Sequence, residues 1–273
     1  MIPAKFDYAR ASSVEEAVRL LSSEEDSKAL AGGHSLLPLM RLRIAAPTLL
    51  VDIGRIKGLS GVRDKGDAVG IGALTRHADV ASDATVGREA PLLAKVASQI
   101  GDPQVRHRGT FGGSIAHGDP ASDLPAACLA LGASFVAVGP EGERVIPADD
   151  FFQGFLTTSL EANEVLTEIL VPKAAGARWS FQKFNRRAQD WAIVGCAVVQ
   201  NGLTRIGLVN MEAAPVRAKG AEEALADGAS AGEAAGHASD GLEPPSDLNA
   251  SSEFRRHLAS VLVRRGLEEA GKS

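Results

Sequence analysis

The chain has 273 residues, of which 45% are hydrophobic and 23% charged, with a net charge of −5. That length can bury a sizeable core and points to two domains. The acidic balance, with no basic stripe interleaved with aromatics, argues against nucleic acid as a partner. Two cysteines, Cys128 and Cys196, cannot ligate an ordinary four-thiolate iron–sulfur cluster, and the six histidines show no zinc-ligand spacing. The cysteines sit in apolar runs and read as buried thiols. No signal-peptide pattern opens the chain, and the apolar stretch 124–138 is too short for a membrane span. A cytoplasmic protein is expected.

The predicted elements begin with a short strand at Phe6–Tyr8. Ser13-Val14-Glu15-Glu16 reads as a capping box, with Ser13 as N-cap and Glu16 three residues on. The helix that follows runs to Leu21, with Val14, Ala17, Val18 and Leu21 on one face. Ala29-Leu30 leads into the pair Gly32-Gly33. A short helix over Leu36–Arg43 and a strand over Leu49–Ile53 follow. Ala68–Leu74 is a strand, and Thr75 is a candidate cap for a helix near His77. Pro91–Ile100 is a helix opening on proline. The second pair, Gly112-Gly113, is expected in a loop. Pro125–Leu131 is a helix, Ser134–Val138 a strand, Gly139–Gly142 a turn, and Arg144–Ile146 and Val165–Val171 are strands.

Pro172–Ala177 reads as a linker. The predicted domains are 1–176, with subdomains of about 1–53 and 54–176, and 177–273. Beyond the linker, Trp179–Phe184, Ile193–Gln200 and Arg205–Asn210 suggest an antiparallel sheet. Gly220–Ser252 is expected to be partly helical and partly mobile. A final helix over Glu253–Ala270 carries an apolar stripe of Phe254, Leu258, Val261, Leu262 and Leu267. Arg255, Arg256, Arg264 and Arg265 flank it, as a solvated face or a partner contact.

Glycine accounts for 29 residues, so about three Gly-Gly pairs are expected by chance, and the chain has two. The pairs become informative only through the longer words around them. These are Leu30-Ala31-Gly32-Gly33-His34-Ser35-Leu36-Leu37-Pro38 and Arg108-Gly109-Thr110-Phe111-Gly112-Gly113-Ser114-Ile115-Ala116-His117-Gly118-Asp119-Pro120-Ala121-Ser122-Asp123-Leu124-Pro125. A third is Lys183-Phe184-Asn185-Arg186-Arg187-Ala188-Gln189-Asp190-Trp191-Ala192-Ile193-Val194. In this order they resemble the FAD-binding medium subunit of molybdenum hydroxylases, which includes the flavoprotein subunit of carbon monoxide dehydrogenase and the flavin domain of xanthine dehydrogenase. The resemblance spans essentially the whole chain.

The resemblance implies an α+β fold. Its first part is an FAD-binding domain of the p-cresol methylhydroxylase type, built of two α/β subdomains. A C-terminal α+β domain of the carbon monoxide dehydrogenase flavoprotein type follows. It implies non-covalent FAD, an oxidoreductase role in electron transfer, and partners: a large subunit with a molybdenum cofactor and a small subunit with two [2Fe–2S] clusters, in a dimer of heterotrimers. No catalytic or metal-ligating residue is expected in this chain.

By the same resemblance, Ala31, Gly32, Gly33, His34, Ser35 and Leu36 wrap the diphosphate. His34 reads as a loop-ordering or ligand-contact residue, or as a turn histidine. Thr110, Gly112, Gly113 and Ser114 form the second half of the clamp. Asp123 matches a position on the adenosine side, or is a helix N-cap, and Asp119 shapes an Asp-Pro turn. Ile100 packs on the cofactor or in the core. Val165 and Leu166 pass the isoalloxazine ring, and Lys183 lies at the ring's pyrimidine end. Trp191, where relatives often carry tyrosine, covers a flavin face or belongs to the core. The alternatives are a stand-alone FAD oxidase or dehydrogenase acting on a small molecule, and a nucleotide-binding sensor or scaffold.

Overall fold

Three short parallel strands start the fold: Asp7–Arg10, Ser27–Leu30 and Leu49–Asp52, with the last between the other two. The computed structural model describes residues 2–272. The first strand lies slightly beyond the predicted Phe6–Tyr8, because Asp7 begins the pairing by donating its N–H to the Thr48 carbonyl at 2.7 Å. Helix Val14–Leu21 buries Ala17, Val18 and Leu21 against this sheet. Its cap differs from the predicted box. Ser13 Oγ accepts from the Glu16 N–H, but the Glu16 carboxylate turns to the backbone and hydroxyl of Ser12. The N–H one residue earlier wins that acceptor.

A five-stranded antiparallel sheet follows, in the order Val62–Asp64, Ala68–Gly72, Val165–Pro172, Ser134–Gly139, Gly142–Pro147. Its central strand carries a bulge between Leu166 and Glu168. A bulge re-aims the side chains beside it, and such irregularities concentrate next to functional sites. Thr75 does not cap the next helix; Arg76 occupies that position. The Thr75 hydroxyl is buried and donates to the Gly72 carbonyl at 2.6 Å, holding the strand's exit turn.

A C-terminal antiparallel sheet runs Arg178–Phe184, Val194–Asn201, Leu203–Val209, Val216–Arg217. Between it and the five-stranded sheet lies helix Asp123–Leu131, all nine of whose residues are buried. A helix apolar all round is stable only when surrounded. Backbone meets backbone there: a Cβ on Gly207 would lie 2.0 Å from the Ala126 carbonyl oxygen. The core around Phe111, Phe135 and Ile169 consequently runs on into Phe181, Ala197 and Val199 of the C-terminal sheet.

The final helix, Ser252–Ala270, covers the other face of that sheet. Leu258, Leu262 and Leu267 are buried as predicted, but Phe254 is largely exposed and Val261 is only half-buried. Arg255 is a larger correction to the solvated-arginine reading. It is fully buried, with its guanidinium bonded to the Ile193 carbonyl and, at 2.7 Å, to Asp247. A charge is tolerated in a core when paired and hydrogen-bonded. Residues 219–226 and 231–236 are helical within the stretch read as mixed. Among the described residues no helix is long and apolar enough to cross a membrane.

Gly207→Ala is expected to destabilise the fold by about 3 kcal/mol, because neither partner in the contact is a movable side chain. Gly232→Ala lies in helix Ala231–Gly236 with nothing within 4 Å of a new Cβ. It is expected to be neutral or stabilising by about 0.5–1 kcal/mol. Urea denaturation of the two variants measures the contrast.

Candidate functional site

A cavity of about 760 Å³ opens where the first sheet, the five-stranded sheet and the C-terminal sheet approach one another. All sixteen residues singled out from the sequence line it. The first glycine motif leaves strand Ser27–Leu30 and enters helix Leu36–Leu42. Gly33 has φ +76°, a left-handed conformation open chiefly to glycine. Gly32 has another reason to be glycine. A Cβ there would lie 2.3 Å from the Arg108 carbonyl oxygen and 3.1 Å from the Gly109 Cα. Among the described residues, the N–H groups of Gly33, His34 and Ser35 meet no acceptor. Three unspent donors in succession, beside a cavity, form a concavity suited to an anion. The His34 ring is exposed, and its Nδ1 lies 3.3 Å from the Gly32 carbonyl of its own loop.

The second motif is not a loop. Gly112 and Gly113 lie in the first turn of helix Phe111–His117, which Thr110 caps by accepting from the Gly113 N–H at 3.2 Å. The N–H groups of Phe111, Gly112 and Ser114 are also spent, on the carbonyls of Thr75, Ala73 and Thr110. The glycines here serve close approach. A Cβ on Gly112 would lie 2.4 Å from the Ala73 Cβ, and one on Gly113 would lie 2.6 Å from Thr110 Oγ1 and 3.9 Å from the Ala31 Cβ. The two motifs therefore interlock, and the second offers the cavity a hydroxyl, Ser114, rather than a row of amides.

Asp123 is the first residue of the buried helix Asp123–Leu131, and Ser122 precedes it as N-cap. The N-cap alternative for Asp123 is thus overturned. Asp119 does shape the turn before it, accepting from the Ala121 N–H at 2.8 Å. Lys183, on strand Arg178–Phe184, places its Nζ 2.6 Å from Asp123 Oδ2, and both side chains are almost fully buried. Roles at opposite ends of an extended cofactor do not suit two groups in direct contact; they form one locus. Burial pushes the Asp123 carboxyl up, against the pull of the Lys183 ammonium. Asp123 Oδ1 is buried without a hydrogen-bond partner. Such an atom costs free energy unless something supplies a donor.

Val165 and Leu166 are buried beside the bulge of the central strand. Ile100 is half-buried and packs against the main core. Trp191 is 59% exposed at the cavity rim, so the core reading for it fails. Sequence reasoning missed His77. It opens helix His77–Ser82, lines the cavity and is only 5% exposed. Its pKa is pushed down to about 4 by burial first, then by the charges of Arg76, His34 and Arg106. No local pattern marks it, because its neighbours in space come from other elements. Among the described residues no cluster of metal-ligating side chains occurs.

Residues 4–174 match the FAD binding domain in molybdopterin dehydrogenase, and residues 179–270 match the CO dehydrogenase flavoprotein C-terminal domain. The chain belongs to this flavoprotein family. It is 46% identical to the carbon monoxide dehydrogenase medium chain of Hydrogenophaga pseudoflava, covering 99% of this chain and 98% of that one. It is 37% identical to the nicotine 6-hydroxylase medium subunit of Paenarthrobacter nicotinovorans, over 97% and 96% of the two chains. The solved carbon monoxide dehydrogenase from Hydrogenophaga pseudoflava superposes with a TM-score of 0.94 at 47% identity, covering 100% and 99%. Quinoline 2-oxidoreductase from Pseudomonas putida 86 does so with 0.92 at 34%, covering 100% and 99%. The family places an FAD-binding domain in this chain and makes it the flavoprotein subunit of an oxidoreductase. The cavity fits that cofactor. Free amides suit a diphosphate, and the orphaned Asp123 oxygen suits a hydroxyl donor.

Two outcomes follow from the buried charges. Asp123→Ala leaves the Lys183 ammonium buried and unpaired and is expected to cost about 3–5 kcal/mol, whereas Asp123→Leu combined with Lys183→Met costs far less. Guanidinium denaturation of the two proteins compares them. For His77, the folded value of about 4 lies below the ordinary 6.5. The unfolded chain therefore binds the proton first as pH falls. The stability contributed by neutral His77 is complete above about pH 6.5 and declines toward pH 4, by at most about 1.4 kcal/mol per unit. Urea midpoints between about pH 7 and 4.5 are expected to fall for the unaltered protein relative to His77→Phe.

Proposed function

We propose that this chain is the electron-transfer subunit of a molybdenum-dependent hydroxylase or dehydrogenase. It accepts electrons from [2Fe–2S] clusters of a small partner subunit and passes them to an external acceptor. A large partner subunit holds the molybdenum cofactor and selects the substrate. The assembly is a dimer of heterotrimers in the cytoplasm. The relatives' names carry carbon monoxide, nicotine, glyceraldehyde, caffeine and xanthine across similar medium or FAD-binding chains. That range supports a substrate choice made outside this chain.

The observation that carries the reading is the cavity itself, where unspent amides, an orphaned carboxylate oxygen and apolar walls converge. Bound FAD supplies one- and two-electron transfer at its ring. The N–H groups of Gly33, His34 and Ser35 bind the diphosphate, with Ala31, Gly32 and Leu36 shaping the loop. Thr110, Gly112 and Gly113 hold the opposite wall close, and Ser114 adds a hydroxyl. Asp123 accepts from a cofactor hydroxyl while its other oxygen holds Lys183, whose charge favours an electron-rich ring. Ile100, Val165 and Leu166 exclude water, and Trp191 covers the exposed side. The domains are 1–176 and 177–273, with subdomains of about 1–53 and 54–176 in the first. The Lys183–Asp123 contact joins the two domains at the cavity that would hold the cofactor.

The full chain, purified alone and with its large and small partners, tests this. Alone it is expected to show flavin absorbance that denaturation releases, and no reduction by substrate. Bleaching by substrate appears only in the assembled complex. Reduction of the isolated chain by a small alcohol or amine would favour the stand-alone oxidase instead.

A further inference from the structure

His77 belongs to no motif described above, yet it stands between both glycine words. Its N–H donates to the Gly109 carbonyl at 3.2 Å. Its ring lies flat enough on that backbone that a Cβ on Gly109 would come within 2.7 Å of both Cδ2 and Nε2. Gly109 in turn lies against Gly32, whose missing Cβ would be 3.1 Å from the Gly109 Cα. Gly109 thus lies against both the imidazole and Gly32, the first glycine of the first motif. His77 is 5% exposed, and its Nδ1 is buried with no partner among the described residues. Nε2 also has no hydrogen-bond partner among the described residues, but it is not sealed from solvent as Nδ1 is, so it is the ring nitrogen that a ligand in the cavity can reach.

The surrounding charge has one sign. The two arginines acting on the ring, Arg76 and Arg106, are cationic. They come from the helix start and the short helix Pro103–Arg106. A cavity wall combining free amides and a buried imidazole, with two arginines behind it on the Arg108, Ile100 and Gly101 carbonyls, suits a polyanion. Within FAD that is the diphosphate bridge.

We propose that His77 is a further cofactor-binding residue, its Nε2–H donating a hydrogen bond to the FAD diphosphate between the two glycine motifs. This rests on the FAD reading above. The test is titration of the full chain in its flavin-free form with FAD, ADP and riboflavin, the last lacking any phosphate. His77→Phe keeps the ring's bulk and removes the donor. It is expected to weaken FAD and ADP about ten-fold or more while leaving riboflavin unchanged. His77→Gln, which returns an N–H near the Nε2 position, is expected to bind all three close to the unaltered protein. If His77→Phe fails to fold, His77→Ala carries the same comparison. Affinity for FAD and ADP unchanged from the unaltered protein in the donor-free variant overturns the proposal, as does an equal loss for riboflavin, which would mark His77 as structural. If the unaltered protein binds FAD and the variant binds it equally, only the His77 assignment fails. If the unaltered protein binds none of the three, the FAD reading fails with it.

Discussion

The cleft exists because two glycines let polypeptide backbones touch where side chains would hold them apart. Gly32 rests on the Arg108 carbonyl, and Gly112 rests on Ala73. Through the first contact the parallel sheet is held against the segment leading into the second glycine motif. Through the second, helix Phe111–His117 is held against the exit of strand Ala68–Gly72. A methyl group at either position would collide with backbone atoms, which cannot swing aside as a flexible side chain does. The cavity's width beside the two glycine motifs is therefore set by main-chain geometry. It does not depend on rotamers, so the wall is in place before a cofactor arrives.

The floor of the same cavity is set by charge. Lys183 and Asp123 meet at 2.6 Å with almost no solvent around them. Such a pair is weak evidence for net stability, because desolvation offsets most of its attraction. Its value is in position. The ammonium can reach Asp123 only when strand Arg178–Phe184 packs beside helix Asp123–Leu131, so the pair registers one half of the chain on the other. It also leaves the other carboxylate oxygen of this cavity-lining residue buried and unpaired. The cost of that orphan is the cost of a preorganised acceptor.

Much of the fold was legible in the residues. Helix Val14–Leu21 announced itself by spacing, Pro91 marked a helix start, and the strands of the C-terminal sheet fell within a few residues of their predicted spans. The failures share a cause. The sequence places Arg255 on a solvated face or a partner contact because a helical wheel cannot show a loop carbonyl and Asp247 waiting in the core. Gly112-Gly113 was read as a loop because glycine disfavours helix locally, while the need for close approach to Ala73 came from a distant strand. Thr75 was read as a cap because it precedes a helix, but a buried hydroxyl goes to the nearest carbonyl, that of Gly72.

By itself the sequence determined the family, the order of elements and sixteen of the residues that line the cavity, because most of these are written as contiguous words. Tertiary structure alone decided what each of them has left to give. The two double glycines look equivalent in one dimension, yet one leaves its amides free and the other spends them on its own helix and on Thr75 and Ala73. Asp123 and Lys183 stand 60 residues apart in the chain and become a single group. His77 carries no local mark and acquires its character from burial and from the charges of Arg76 and Arg106, brought by its own helix start and another element. Hydrogen-bond occupancy and electrostatic environment depend on neighbours in space, and no local pattern of residues encodes them.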